Sequence, residues 1–364
     1  MWVIGFLLVL GPLVTVHELG HYLVGRWFGV KADAFSVGFG KELFGRTDSQ
    51  GTRWKLSALP LGGYVQFKGD MNPASVPDFD APAQDGSFQN ASLWRRALIV
   101  AAGPVTNILV AVLIFAGFAM AYGKAVPVDP ASENYVAGFA EISPARDAGV
   151  RIDDRIAAID GKPLAGFREL RLAIAPYPNK DIVLTVERDG QDIDIPVRIG
   201  AVVQEDDFGN AGTVGLIGIE GRPTQLSREA VGPVEAVGLG FEDSWNMTKL
   251  MVTGIKQILV GDRSVKELGG PIKIAKFSGE QLSLGLPSFV QFAAFISLNL
   301  AFINLLPIPA LDGGHLAFYA AEAVRRKPVG PRGQELAYKT GIALVLMLML
   351  VVTVNDVASL VFTG

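Results

Sequence analysis

The 364-residue sequence predicts a polytopic α-helical membrane protein with four transmembrane helices, a membrane-associated β-hairpin loop and an inserted α+β domain. Three observations lead there. Half of the residues are hydrophobic and the mean hydropathy is +0.35, yet 19% are charged, so membrane-embedded and aqueous parts share one chain. Four segments approach the roughly 20 apolar residues that cross a bilayer: Trp2 to Val24, Ala97 to Tyr122, Phe289 to Leu306 and Ile342 to Leu360. Between the second and third of these lie short β-rich runs punctuated by turn signals.

The first segment reads as a retained span rather than a secretory signal. No Lys or Arg precedes it, and no small-residue cleavage site follows. It carries His17-Glu18-Leu19-Gly20-His21, an HExxH pattern that sets two imidazoles one helical turn apart, close enough to share a metal ion, with Glu18 beside them. Ionisable groups are costly in hydrocarbon, so a cluster placed there marks a site. The pattern points to a metalloprotease centre within the bilayer.

After this span, the stretch from Gly25 to Arg96 holds nine Lys or Arg, and the loop after the third span holds Arg325, Arg326, Lys327 and Arg332. The positive-inside rule makes both cytoplasmic and puts the termini and the segment from Gly123 to Pro287 on the other side. Within the first loop, Trp54 to Leu59 and Tyr64 to Lys68 are separated by Pro60-Leu61-Gly62-Gly63, the pattern of a hairpin. Such a hairpin, dipping toward the membrane, would offer a strand edge containing Tyr64, Val65 and Phe67 to an unwound substrate. A plain surface hairpin fits the same pattern. From Asn72 to Asn90, Pro, Asp, Ala and Gln mark a flexible linker.

In the outer segment, strands are expected at Ile182 to Glu187 and Ile193 to Ile199 around a turn at Asp189-Gly190, with a helix from Phe167 to Ala175. Val231 to Val260 has apolar residues at near-helical spacing together with Glu235, Glu242, Asp243 and Lys249. That mixture predicts an amphipathic helix on the membrane surface rather than a fifth span. The expected divisions are residues 1–125 (first membrane half), 126–222 (outer domain), 223–287 (surface-helix segment) and 288–364 (second membrane half).

The chain has no cysteine, which excludes disulfides and thiolate ligands, so a metal here takes His and carboxylate donors. A net charge of −4 without an aromatic-laced basic run speaks against nucleic acid. A catalytic zinc takes three protein donors and leaves one position open. At the end of the third span, Asn299, Asn304 and Asp312 lie among Pro307, Pro309, Gly313 and Gly314, which break the helix and let the carboxylate turn inward as the third donor. His315 is the alternative donor. Glu18 would act as general base, and Asn299 and Asn304 would hold the substrate backbone or the developing oxyanion, or make structural interhelical hydrogen bonds. His and carboxylate donors alone do not separate zinc from other first-row ions. Two rivals stand beside the protease: a membrane scaffold with a closed four-donor structural metal site, and a transporter, for which the four spans show no repeat.

HELGH in a first span and NLLPIPALDGG from Asn304 to Gly314 in a later one resemble the site-2 protease family of intramembrane metalloproteases. The intervening segment, with EISPARDAG from Glu141 to Gly149 and DDRIAAIDG from Asp153 to Gly161, resembles a PDZ domain, and Gly269-Gly270-Pro271-Ile272 resembles a segment of the bacterial sigma-E-regulating branch. The resemblance implies one Zn2+ held by His17, His21 and Asp312, with Glu18 as catalytic acid and base. It also implies substrate contacts at Asn299 and Asn304 and on a membrane-associated β-loop from Trp54 to Lys68. The implied setting is a bacterial inner membrane with a periplasmic PDZ domain. The implied partners are the lipid bilayer and a pre-cleaved single-pass membrane protein of the anti-sigma factor type, whose new end would contact the PDZ domain; remnant signal peptides form a second substrate class. Two departures stand out. Asp153 occupies a position where such modules have Gly, which predicts a differently shaped turn, and the outer segment has room for one PDZ domain rather than a tandem pair.

Overall fold

The computed structural model describes residues 1–69, 85–127, 134–164, 166–205, 211–222, 226–261, 269–327 and 329–362. Along the chain run α1 (Trp2–Trp27), β1 (Ala32–Thr47), β2 (Arg53–Phe67), α2 (Leu93–Tyr122), β3 (Lys124–Pro127), β4 (Val136–Phe139), α3 (Pro144–Asp147), β5 (Arg155–Ile159), β6 (Lys162–Pro163) and α4 (Phe167–Ile174). There follow β7 (Asp181–Arg188), β8 (Gln191–Arg198), β9 (Gly200–Glu205), β10 (Ala211–Leu216), β11 (Ile219–Gly221) and β12 (Leu226–Glu229). The chain closes with α5 (Pro233–Val260), α6 (Pro271–Leu284), α7 (Leu286–Leu305), α8 (Asp312–Arg325) and α9 (Pro331–Phe362). Two compact units emerge, one of residues 1–117, 233–248 and 269–361, the other mainly of residues 118–232.

In the first unit, α1, α2, α7 and Arg332–Ala358 of α9 are long and apolar enough to cross a membrane, which makes this a multi-pass membrane protein. α5 is not among them, because its charged residues interrupt the apolar run. α6 packs against α1 so closely that a Cβ at Gly5 would meet the Ser278 backbone at 2.6 Å, so only glycine admits this approach. Val9, Leu13, Phe289 and Ile296 form one apolar core there, and Tyr22, Phe35, Phe67, Phe88 and Ile99 form another toward the end of α1.

The α6 N-terminus rests on a group that sequence reading did not single out. Asp356 of α9, fully buried, accepts hydrogen bonds from the backbone N–H groups of Gly270, Ile272 and Lys273 at 3.0–3.1 Å. Those donors have no partner within the helix, and a carboxylate at a helix N-terminus is also favoured by the helix dipole.

The hairpin expected around Pro60 to Gly63 is corrected. Trp54 to Leu59 and Tyr64 to Lys68 do not pair across a turn; nearly all of both runs lies in the single strand β2, and the turn is at Asp48 to Thr52. Asp48 makes that turn by accepting from the backbone N–H of Gln50 and Thr52 at 2.9 and 3.0 Å, a local side-chain bond that outweighs the Pro-Gly signal. β1 then pairs twice: Ala34 to Val37 register with Gln66 to Gly63 and also with Arg53 to Leu56, so the two long strands fold back on themselves. The linker expected from Asn72 to Asn90 lies largely outside the described residues; its end, Phe88–Asn90, is a single 3-10 turn.

The second unit holds a four-stranded sheet ordered β6-β5-β7-β8, with β4 paired to β11. Ile156, Leu184, Val186, Ile195 and Val197 alternate inward and pack on Leu170 and Ile174 of α4. β7 and β8 join through Asp189-Gly190, both at positive φ, as a two-residue hairpin turn requires. The expected strand and helix positions agree with these elements to within one or two residues. The departure at Asp153 is accommodated: its φ is +71°, the left-handed conformation that glycine takes and that Asp tolerates, and its carboxylate pairs with Arg222 at 2.5 Å. Next to it, buried Asp154 is bridged by both arms of Arg188 at 2.7 Å and accepts the Arg151 N–H at 2.8 Å.

Candidate active site

α1 runs unbroken through His17, Glu18 and His21, so the one-turn spacing sets both imidazoles on the same face, 7% and 8% exposed. Their Nε2 atoms lie 3.1 Å apart. The third group arrives from the far end of the chain. α7 stops at Leu305, two residues before Pro307, and the Leu311 N–H donates to the Ile308 carbonyl at 3.0 Å across Pro309 and Ala310. Ala310 has a φ of +82°, as the second central residue of a type II turn does, a position costing a non-glycine residue about 1–2 kcal/mol. That turn starts α8 at Asp312 and aims its carboxylate back. Asp312 Oδ2 lies 3.1 Å from His17 Nε2 and 3.6 Å from His21 Nε2.

The three donor atoms fall within 4.8 Å of one another. Asp312 Oδ2 is buried without a hydrogen-bond donor among the described residues, and an orphaned buried carboxylate oxygen is costly unless a cation meets it. The donor set is two imidazoles and a carboxylate, which suits a divalent first-row ion, so the residues present fit a zinc ion. His315, the alternative to Asp312, falls outside the group and instead meets the Tyr338 hydroxyl at 2.8 Å.

Glu18 points to β2. Its Oε2 accepts the Val65 N–H at 2.9 Å, which ties the carboxylate to a strand edge. That strand is in turn tied to α1 by Asp48, whose Oδ2 accepts from Arg26 at 3.0 Å, the Trp54 indole at 3.2 Å and the Tyr22 hydroxyl at 3.3 Å. Desolvation pushes the Asp48 carboxyl up, but the hydrogen bonds from Trp54, Gln50 and Thr52, with Arg26 nearby, outweigh it and bring its pKa down to about 2.

The donor group opens on a cavity of about 380 Å³ edged by Tyr64, Val65 and Phe67 on one side and Asn304 and Leu311 on the other. Asn299 is not among its lining residues. Five positions before Asn304, it projects from a different side of α7, since five residues advance about 500° around a helix. Sequence reading also missed what α2 contributes. The Ile99 carbonyl lies 2.8 Å from His21 Nδ1, and the fully buried Asn107 amide lies 3.2 Å from His17 Nδ1. A Cβ at Gly103 would stand 2.3 Å from His21 Nε2 and 2.7 Å from His17 Nε2, so α2 reaches the imidazoles only because residue 103 has no side chain. Asn107 is one of many polar residues in the spans, and its sequence signal is no more than an amide within an apolar run.

Peptidase family M50 matches residues 5–348, nearly the whole chain. The chain belongs to this family, the site-2 proteases. It is accordingly a zinc metalloprotease, a hydrolase whose cofactor is Zn2+. Among its relatives, a protein of Rhizobium meliloti (strain 1021) with the provisional name zinc metalloprotease is 46% identical over 360 residues, covering 97% of this chain and 95% of that protein. A similarly named protein of Agrobacterium fabrum is 41% identical over 368 residues, covering 99% and 96%. The regulator of sigma-E protease RseP of Escherichia coli is 30% identical across 98% of each chain, in an alignment 454 positions long against 364 residues here, so that relative carries additional sequence.

Proposed function

We propose that this protease cuts within the transmembrane helix of a single-pass membrane protein that an earlier cleavage has shortened, with His17, His21 and Asp312 holding the zinc ion and Glu18 moving the proton. The observation that carries the reading is the position of the three-donor group: His17 and His21 buried on a helix long enough to span a bilayer, Asp312 half-buried at the start of α8, and all three open to a cavity bordered by a strand edge. Three donors rather than four among the described residues argue against the rival scaffold with a closed structural site. When bound, zinc supplies Lewis acidity toward the scissile carbonyl and the attacking water. Glu18, held by the Val65 N–H, accepts the proton from that water and delivers it to the departing amine. A helical peptide bond is shielded by its own hydrogen bonds, so the substrate unwinds first, and the edge at Tyr64, Val65 and Phe67 offers replacement backbone partners. Asn304 borders the same cavity and is suited to hold the substrate backbone or the oxyanion; Asn299 would support α7 from its other side.

The setting follows from charge and resemblance. The Arg- and Lys-rich loops face the cytoplasm of a bacterial inner membrane, and the second unit is a single periplasmic PDZ domain that receives the substrate's newly exposed end. Similarity to RseP supports an anti-sigma factor as substrate, with remnant signal peptides as a second class. Glu18→Gln should retain zinc and membrane insertion while slowing cleavage of a transmembrane reporter by about 10²–10⁴. Full activity in that purified variant would refute the assignment. A membrane proteome in which no helix fragment accumulates with the variant would refute the substrate class. Because the chain has no cysteine, single introduced cysteines report sidedness without background.

A further inference from the structure

The geometry points to Asn107 as the positioning residue of the metal centre: its side-chain oxygen accepts the His17 Nδ1 proton and so presents the Nε2 lone pair to the ion. The inference rests on the proposed ligand role of His17, His21 and Asp312, and concerns what makes two of those groups competent.

An imidazole ligates through one nitrogen only when the other carries the proton, and the partner of the second nitrogen sets which is which. For His21 the matter is settled by the backbone. The Ile99 carbonyl can only accept, so at 2.8 Å it places the proton on Nδ1 and leaves Nε2 bare toward Asp312 Oδ2. His17 has no such carbonyl; its Nδ1 meets the Asn107 amide at 3.2 Å. That amide can take either part. With Nδ2 toward the ring it donates, which puts the proton on Nε2, between His21 Nε2 and Asp312 Oδ2, where it repels a cation. In that orientation Oδ1 is buried with no donor among the described residues. A half turn of the amide exchanges its oxygen and nitrogen and brings the acceptor to Nδ1. The zinc-holding arrangement therefore takes the second orientation, in which the amide oxygen holds the proton on Nδ1.

The surroundings are built to hold that amide in place. Asn107 is fully buried on α2, and its own backbone carbonyl accepts the Ser297 hydroxyl of α7 at 2.8 Å, itself fully buried. One turn earlier on α2, Gly103 lets the helix lie against both imidazoles. The second span thus supplies a partner for the outer nitrogen of each histidine, Ile99 for one and Asn107 for the other.

The test uses the full-length protein in detergent or nanodiscs, with zinc affinity read by competition against a chelator and cleavage read in parallel. Asn107→Leu keeps the volume but offers no acceptor, and its zinc affinity should fall by about 10–100-fold. Asn107→Asp can only accept, and it should hold zinc within about threefold of wild type. Leu at 107 binding zinc as tightly as Asn, or Asp failing as Leu does, would overturn the inference. A second measurement does not depend on either variant folding. With only three histidines in the chain, ¹⁵N spectra of histidine-labelled wild type, assigned with His315→Gln, resolve the tautomers. His17 protonated at Nδ1 in the zinc-loaded protein is the expected result, and protonation at Nε2 would sink the proposal. Wild type that binds no zinc would instead remove the ligand assignment beneath it, an outcome distinct from wild type and Asn107→Leu binding zinc equally.

Discussion

Replacing Gly103 with Ala should separate stability from activity. An alanine Cβ at this position would lie 2.3 Å from His21 Nε2 and 2.7 Å from His17 Nε2. Comfortable non-bonded contacts begin at about 3.5 Å, so an imidazole or the α2 backbone must move by about 1 Å. Both rings are packed from several sides, at 7% and 8% exposure, and cannot slide freely. A displacement of that size in a catalytic constellation costs about 10²-fold in rate. The helix itself responds in the opposite sense, because Ala is favoured over Gly in a helix interior by about 0.5–1 kcal/mol. Gly117, on the same helix with nothing within 4 Å of an added Cβ, provides the internal control. Zinc content, thermal midpoint and reporter cleavage should be measured for Gly103→Ala and Gly117→Ala together. The expected result is lost zinc and lost cleavage at position 103, with a midpoint not much below wild type and an unaffected enzyme at 117. Stoichiometric zinc and cleavage within about threefold of wild type in Gly103→Ala would show that the contact does not constrain the centre.

Further outcomes follow from the same structure. Asp356→Ala leaves three N–H groups at the start of α6, two of them buried, and the nearby Lys273 without their carboxylate, a loss of about 3–5 kcal/mol that thermal unfolding should register; an unchanged midpoint would count against the cap. Desolvation pushes the Asp154 carboxyl up, but Arg188 and the Arg151 N–H outweigh it and hold the group below the ordinary carboxylate range. Its contribution to the second unit is therefore complete above the unfolded value of about 3.9 and is lost as pH falls through the lowered one. Hydrogen exchange at β7 in the full chain should accelerate in that acid window, and Arg188→Ala should blunt the acid-dependent step; an acid response identical in both proteins would argue otherwise. Chelation should abolish cleavage while circular dichroism keeps its helical signal, and added zinc should restore the rate. Cleavage that persists after zinc has been removed to below stoichiometry would contradict a zinc-dependent reaction.

What the sequence determined by itself is local. The four apolar runs became helices because about 20 mostly hydrophobic residues satisfy the bilayer and their own backbone at once. The β7–β8 turn was legible because Asp-Gly is among the few pairs that suit two successive positive φ values. HExxH was legible because its geometry is contained within one helical turn, and the approach of Asp312 followed from Pro307, Pro309 and the glycines that end α7.

What only the tertiary structure decided depends on partners distant in the chain. The position of the β1–β2 turn went to Asp48, which takes the Gln50 and Thr52 N–H groups and is held in place by Tyr22 and Arg26 of α1, rather than to Pro60-Leu61-Gly62-Gly63. Asn299 and Asn304 look alike as letters, yet the rotation of α7 sends one to the cavity and not the other. Asp356 capping α6, Val65 holding Glu18, and Ile99 and Asn107 meeting the outer nitrogens of the two histidines span 47 to 90 residues. No periodicity or spacing encodes such contacts, because they exist only once separate helices have packed and each buried polar atom has had to find whichever partner lies opposite.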